Sequence, residues 1–385
     1  MKIRFSTDVF LLSNGYLLAM NTTIQEDTSI SNLLRIRSEY RLLLQSPPLS
    51  LRELLQPDGF SFEEFCKGFR PHRRGKELQE LIMQFGKKNG IWFANSIEHV
   101  SCALFVYPSG TFDRMLPIMK NLTFGFYLND VMGREYFQYL SPANQVSARQ
   151  LIQQMTESSL DVPDSFLPLA KLNAAILREF KDHSPLDWFD RFHKIYSHHL
   201  SVTHMDGNAI SQERMPEVTE YIEQRCHYAG VYHVLLLIEY STGQFIDFHA
   251  LEAFHIEQEV RRLSQLTAFF SATANDLFSF EKEVIDLESD CNLVPVILLN
   301  EPELSLQDAL LKASDIVRTY LTEILSLIDS IQLSLQNILP RNPKLYFALT
   351  DHISGIIHCI QAGWMWHCHS HRYKRARSIW TETTG

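Results

Sequence analysis

Residues 275–283 read NDLFSFEKE, and three oxygen-bearing side chains in this stretch, Asn275, Ser279 and Glu283, follow one another at steps of four. On an α-helix each step of four advances only about 40° around the axis, so the three oxygens project along one face. An amide oxygen, a hydroxyl and a carboxylate suit a hard cation such as Mg²⁺ rather than zinc. Three protein ligands leave positions open for phosphate oxygens. Asp276 lies beside the triad, and Lys282 offers a positive charge to a phosphate. The plainer alternative is a solvated helix face with Asn275 as a cap.

The sequence on either side of this stretch is helical. Residues 250–290 carry one long helical pattern. Residues 304–338 are amphipathic, with Leu310, Val317, Leu321, Ile324, Ile328 and Ile331 as the expected buried stripe. Residues 344–366 form a further helix rich in aromatics, in which Trp364 and Trp366 line either a cavity or the core. Upstream, Met115, Ile118, Leu122, Phe126, Val131 and Tyr139 recur at helical spacing over 114–140. Residues 185–200 follow, then a break at Asp206-Gly207-Asn208 and a helix opened by Pro216 that runs through Arg225 until Gly230 interrupts it. Period-2 alternation is not sustained anywhere. Glycine and proline number 15 each in 385 residues, below the roughly 12% of ordinary usage. The fold class expected is all-α.

Composition narrows the function. Lys plus Arg is 35 and Asp plus Glu is 45, a net charge of −10. Such a chain is ill-suited to general nucleic-acid binding. Basic residues 70–76 read as a solvated face or, as the alternative, a binding site. Six scattered cysteines fit reduced thiols in the cytoplasm. The N-terminal apolar stretch is broken at Asp8 and Ser13-Asn14-Gly15, unlike a signal peptide, and no run reaches the ~18 to 20 apolar residues of a membrane span. His358, Cys359, His367, Cys368, His369 and His371 lack a standard zinc spacing.

A second acidic site lies in FYLNDVMGREYF, where Asn129, Asp130 and Glu135 sit among aromatic and aliphatic residues. A carboxylate there needs compensation. A metal ion supplies it, and so does a salt bridge from Asp130 to Arg134 at i+4.

Taken together, these residues resemble the class I terpene synthases of microbial type. NDLFSFEKE matches that family's Asn/Ser/Glu metal motif in full. YPSGTFDRM followed by FGFYLND resembles the run into its aspartate-rich motif, and Pro216–Glu239 resembles the stretch with the diphosphate-sensing Arg and the helix break. VPVILLNEPELSLQDAL resembles the connector after the metal helix, and Arg372-Tyr373 the closing Arg-Tyr pair. The likeness covers residues 91–375. It divides the chain into an N-terminal extension, 1–90, and a synthase-like domain, 91–385.

The resemblance implies a single helical bundle around a deep active-site cavity. It implies three Mg²⁺ ions that bind an allylic isoprenyl diphosphate, farnesyl or geranylgeranyl diphosphate, and a carbocation that cyclises after diphosphate leaves. It assigns Asp130, Asn275, Ser279 and Glu283 to metal, Arg225, Lys282, Arg372 and Tyr373 to diphosphate, and Gly230 to the helix break. A small-molecule substrate and a monomer or homodimer are expected. The aspartate motif departs from DDxxD and DDxxxE, with Asn129 in place of the leading Asp. Glu135, at i+5 on a continuous helix, would turn about 140° away from Asp130. By distance from Gly230, Cys226 stands where the sensing Arg is usual, and Ala229 where a polar linker is common. Two other readings share the architecture: an isoprenyl diphosphate synthase, which would carry DDxxD in place of NDLFSFEKE, and a non-catalytic isoprenoid-binding protein.

Overall fold

The computed structural model describes residues 24–157, 160–205 and 216–385. The expected break at Asp206-Gly207-Asn208 lies outside the described residues. The N-terminal third forms α1 (Ile24–Leu43), α2 (Leu51–Leu55), α3 (Phe62–Phe65), α4 (Gly75–Asn89), α5 (Ser96–Val106) and α6 (Phe112–Met132). The middle forms α7 (Arg134–Phe137), α8 (Pro142–Thr156), α9 (Pro168–Asp182), α10 (Leu186–Thr203), α11 (Val218–Tyr228) and α12 (Val231–Thr242). The last third forms α13 (Phe248–Ala253), α14 (Glu257–Phe280), α15 (Leu293–Asn300), α16 (Leu306–Ile338) and α17 (Pro343–His369). Among the described residues there is no strand, only isolated bridges such as Leu49 to Trp380. No helix among the described residues is long and apolar enough to cross a membrane.

The buried stripe read on α16 is buried in full, and it packs chiefly on α14. α14 also meets α11, α12, α15 and α17, while α6 packs on α4, α5, α9 and α12. α14 and α6 carry the two acidic motifs, each near its C-terminal end. The described part of the extension packs onto this bundle: α1 on α15 and α16, α2 on α16, and α4 on α5 and α6. Trp364 stacks on Phe62 of α3 at 4.0 Å and is core rather than lining. The side chains of Arg70, Arg73, Arg74 and Lys76 are exposed, as a solvated face requires.

Three helix boundaries differ from the periodicity. The pattern over 250–290 is interrupted at Phe254–Ile256, where His255 takes a positive φ of 59°. After Phe280 the backbone becomes a π-helix, Glu281–Asp286, a rare form that concentrates at functional sites. The pattern over 114–140 stops at Gly133, whose ψ of 169° is extended; a Cβ in that conformation would lie 2.5 Å from the carbonyl oxygen of Asn129, so the position calls for glycine. Glu135 therefore sits on α7, not on a continuation of α6, and the 140° offset argued from one helix does not apply. Its side chain lies outside the described residues.

The expected break at Gly230 is present. Its φ of 69° is left-handed and separates α11 from α12, a conformation that costs a residue with a Cβ. Further along α12, Ile238 abuts α17 at Gly355, where a Cβ would come 2.1 Å from Ile238 Cγ2.

Next to that contact, Glu239 is buried. It accepts from the Ile246 backbone N–H at 3.0 Å, with Arg191 3.7 Å away. Burial raises its pKa from 4.5 to about 7, and Arg191 offsets only part of this. A carboxyl whose folded-state pKa is raised contributes stability that is complete below pH 4.5 and is lost as pH rises through 7. Glu239→Gln should therefore gain stability relative to wild type across that window, by a few kcal/mol at most. Denaturant unfolding at pH 4.5 and pH 8 measures the difference, and equal gaps at both pH values would refute it.

Candidate active site

Asp276, fully buried, accepts three hydrogen bonds through its carboxylate. Arg225 Nε donates to Oδ1 at 2.6 Å, and the Tyr221 hydroxyl and the Leu293 backbone N–H donate to Oδ2 at 2.7 and 2.9 Å. Asp276 thus fastens α11 and the start of α15 to α14, with both of its carboxylate oxygens engaged. The second arm of Arg225, Nη2, donates to Asn275 Oδ1 at 2.8 Å. Arg225 is therefore buried against the metal motif. Cys226, the adjacent residue at the sensing position, is fully buried, and burial drives its thiol far above the usual range.

Asn275 is held on its other side as well. His367 Nδ1 donates to the Gly363 carbonyl at 2.6 Å, leaving Nε2 as an acceptor for Asn275 Nδ2 at 2.9 Å. Burial lowers the His367 pKa to about 4, so the ring is neutral. Asn275 Nδ2 also donates to the Tyr373 hydroxyl at 3.0 Å. Its Oδ1 retains a second lone pair.

Four residues on, the Ser279 hydroxyl is buried with no hydrogen-bond partner. An orphaned buried hydroxyl is costly unless something absent from the protein itself satisfies it. Glu283, on the π segment, accepts from Asn292 Nδ2 at 3.2 Å and faces Arg134 Nη2 at 3.9 Å. A π-helix turns less per residue than an α-helix, so the step from Ser279 to Glu283 comes closer to a whole turn. The oxygen donors of Asn275, Ser279 and Glu283, with Ser279 unpartnered, fit a hard divalent cation.

Asp130 faces the same end of the bundle. Its carboxylate lies 3.5 Å from Arg372 Nη1 and 3.6 Å from His99 Nδ1. The i+4 alternative is corrected, because Arg134 reaches Glu283 across the bundle. Since Arg372 contacts Asp130 and Tyr373 contacts Asn275, the closing Arg-Tyr pair touches both motifs. His99 completes the arrangement, accepting from Arg372 Nη1 at 3.0 Å through Nε2 and stacking on Phe126 at 4.7 Å. Its pKa is pushed down to about 4, first by burial, then by the Arg372 charge, against the pull of Asp130. Lys282 adds a smaller lowering. Asn129 is half-buried and its carbonyl ends α6 by accepting from Gly133 N at 3.0 Å.

Sequence reasoning missed His99, Tyr221 and Asn292. None stands at a motif spacing, and each reaches the site from another helix or a connector. Arg134 was read only as a partner for Asp130, not for Glu283. His367 was noticed only within the histidine and cysteine cluster set aside for zinc.

The family model described as terpene synthase family 2, C-terminal metal binding, matches residues 120–323. The spiroviolene synthase of Streptomyces violens is 26% identical over 331 residues, covering 84% of this chain and 87% of that protein. The structure of germacradien-4-ol synthase from Streptomyces citricolor superposes with a TM-score of 0.62 at 16% identity, covering 78% of this chain and 96% of the other. Hedycaryol synthase gives the same TM-score at 18% identity, covering 81% and 98%. The matched segment contains Asp130, Arg225 and the whole of NDLFSFEKE, and on that basis the chain belongs to terpene synthase family 2 as a terpene cyclase with a metal-binding C-terminal domain.

Proposed function

We propose that this cyclase ionises farnesyl or geranylgeranyl diphosphate and cyclises the resulting carbocation to a terpene hydrocarbon or alcohol. The observation that carries the reading is the unpartnered, buried Ser279 hydroxyl between Asn275 and Glu283. These three residues and Asp130 would hold Mg²⁺, three ions by the family's pattern. Mg²⁺ when bound supplies positive charge that stabilises the leaving diphosphate.

The chain's own residues do the rest. Lys282, Arg372 and Tyr373 bind the diphosphate oxygens. Arg225 acts one step back, by fixing the amide of Asn275. His99, neutral, keeps Arg372 beside Asp130. The aromatic faces gathered here, Phe126 on His99, and Phe278 and Tyr373 on His367, offer cation–π attraction to a developing carbocation. Their apolar bulk excludes water that would quench it. Loss of a proton, or capture of one water, ends the reaction.

Incubation with farnesyl and geranylgeranyl diphosphate and Mg²⁺, followed by gas chromatography, should yield cyclic products from one of them. An elongated prenyl diphosphate would point to an isoprenyl diphosphate synthase instead, and no turnover of either would favour a binding protein. Asn275→Ala and Glu283→Ala should each lower kcat/KM by more than the ~10 to 100-fold typical of losing a metal site's outer partners. Circular dichroism should show unchanged helicity. Retained activity in both would mean that the triad holds no metal. Asp130→Ala should be similarly severe, and a mild effect would remove α6 from the metal site.

A further inference from the structure

Glu281 sits two residues before Glu283 at the start of the π segment, and it is buried. It faces away from the cation donors, toward both ends of the chain. The Tyr40 hydroxyl of α1 donates to Oε1 at 2.7 Å. From the C-terminal tail, the Ser378 hydroxyl donates to Oε2 at 2.5 Å and the Ile379 N–H to Oε1 at 3.1 Å. The same segment is gripped at two further points. Arg37 of α1 donates to the Ile285 carbonyl at 3.0 Å, and Arg375 of the tail pairs with Asp286. Arg375 also donates to the Tyr40 hydroxyl at 3.3 Å, joining the two arms. Burial, and then Glu281 itself, drives the Tyr40 hydroxyl far above its ordinary pKa, so it stays a donor.

The tail that meets Glu281 begins immediately after Arg372-Tyr373. Tyr373 is bonded to Asn275, and Ser378, five residues on, is bonded to Glu281. Six residues of helix, about 9 Å, separate these two anchor points. The tail therefore spans the metal motif along its length, fixed at both ends.

We propose that Glu281 is a positioning residue for the metal motif: by clasping α1 and the C-terminal tail to the π segment, it holds Glu283 in register with Asn275 and Tyr373. This gives the N-terminal extension a role, because Tyr40 and Arg37 supply half of the clasp. The inference rests on the proposed cation and diphosphate site.

The test is calorimetric binding of inorganic diphosphate to the full chain at increasing Mg²⁺. Glu281→Gln keeps the shape but presents an amide N–H₂ to donors, and it should raise the Mg²⁺ needed for half-maximal binding at least fivefold. Tyr40→Phe and Ser378→Ala should each shift it in the same direction, and combining either with Glu281→Gln should add little. These milder variants carry the test if Glu281→Gln does not fold. Ile176→Val, a core change on α9, which supplies none of the site's residues, controls for lost stability and should leave the Mg²⁺ requirement unchanged. A requirement within twofold of wild type in the clasp variants, or an equal shift in Ile176→Val, would overturn the proposal while leaving the site reading standing. No Mg²⁺-dependent diphosphate binding by wild type would overturn both.

Discussion

The buried pairing of Arg225 with Asp276 is the interaction on which the site depends. Taking two charges out of water is costly, and such a pair seldom adds net stability. Its value here is positional. Asp276 satisfies donors from α11 and from the first residue of α15, while Arg225 gives a further hydrogen bond to Asn275. One carboxylate thus sets where three helices meet and how the first cation donor is oriented. Loss of either partner would leave an uncompensated charge in the core, so the pair is also a point at which the fold cannot drift.

From that pair the site extends in two directions. Along α14 it reaches the unpartnered Ser279 hydroxyl and then Glu283, on the π segment. Across the bundle mouth it reaches Asp130 through Tyr373, Arg372 and His99. Arg134 links the motifs a second time through Glu283. The charges are balanced locally: Arg134, Arg225, Lys282 and Arg372 stand among Asp130, Asp276 and Glu283. The surplus negative charge of the chain, −10 overall, is therefore not concentrated among these residues.

Much of this was legible in the sequence wherever the information is local. The i, i+4, i+8 spacing marked the face that carries Asn275, Ser279 and Glu283, the apolar stripe of α16 was buried as read, and Gly230 broke the helix where its missing Cβ is needed. Regularity misled where a single residue altered the backbone. Gly133 ended α6 early by turning extended, where a side chain would have met the Asn129 carbonyl, and the π segment was invisible to a 3.6-residue period. The supporting residues were illegible for a different reason. Tyr40 meets Glu281 and His99 meets Arg372 across more than 200 residues of chain, and no spacing encodes such contacts. The change in meaning of Asp276 is of this kind: adjacent to the motif in sequence, it proves to be its anchor.

The most direct test of the account is the anomalous scattering of Mn²⁺ in crystals grown with inorganic diphosphate, since Mn²⁺ substitutes for Mg²⁺ at oxygen donors. The account predicts one peak bonded to Ser279, Glu283 and Asn275 and at least one bonded to Asp130, with Asp276 still paired to Arg225. Peaks coordinated by Asp276, or none at the Ser279 hydroxyl, would contradict it.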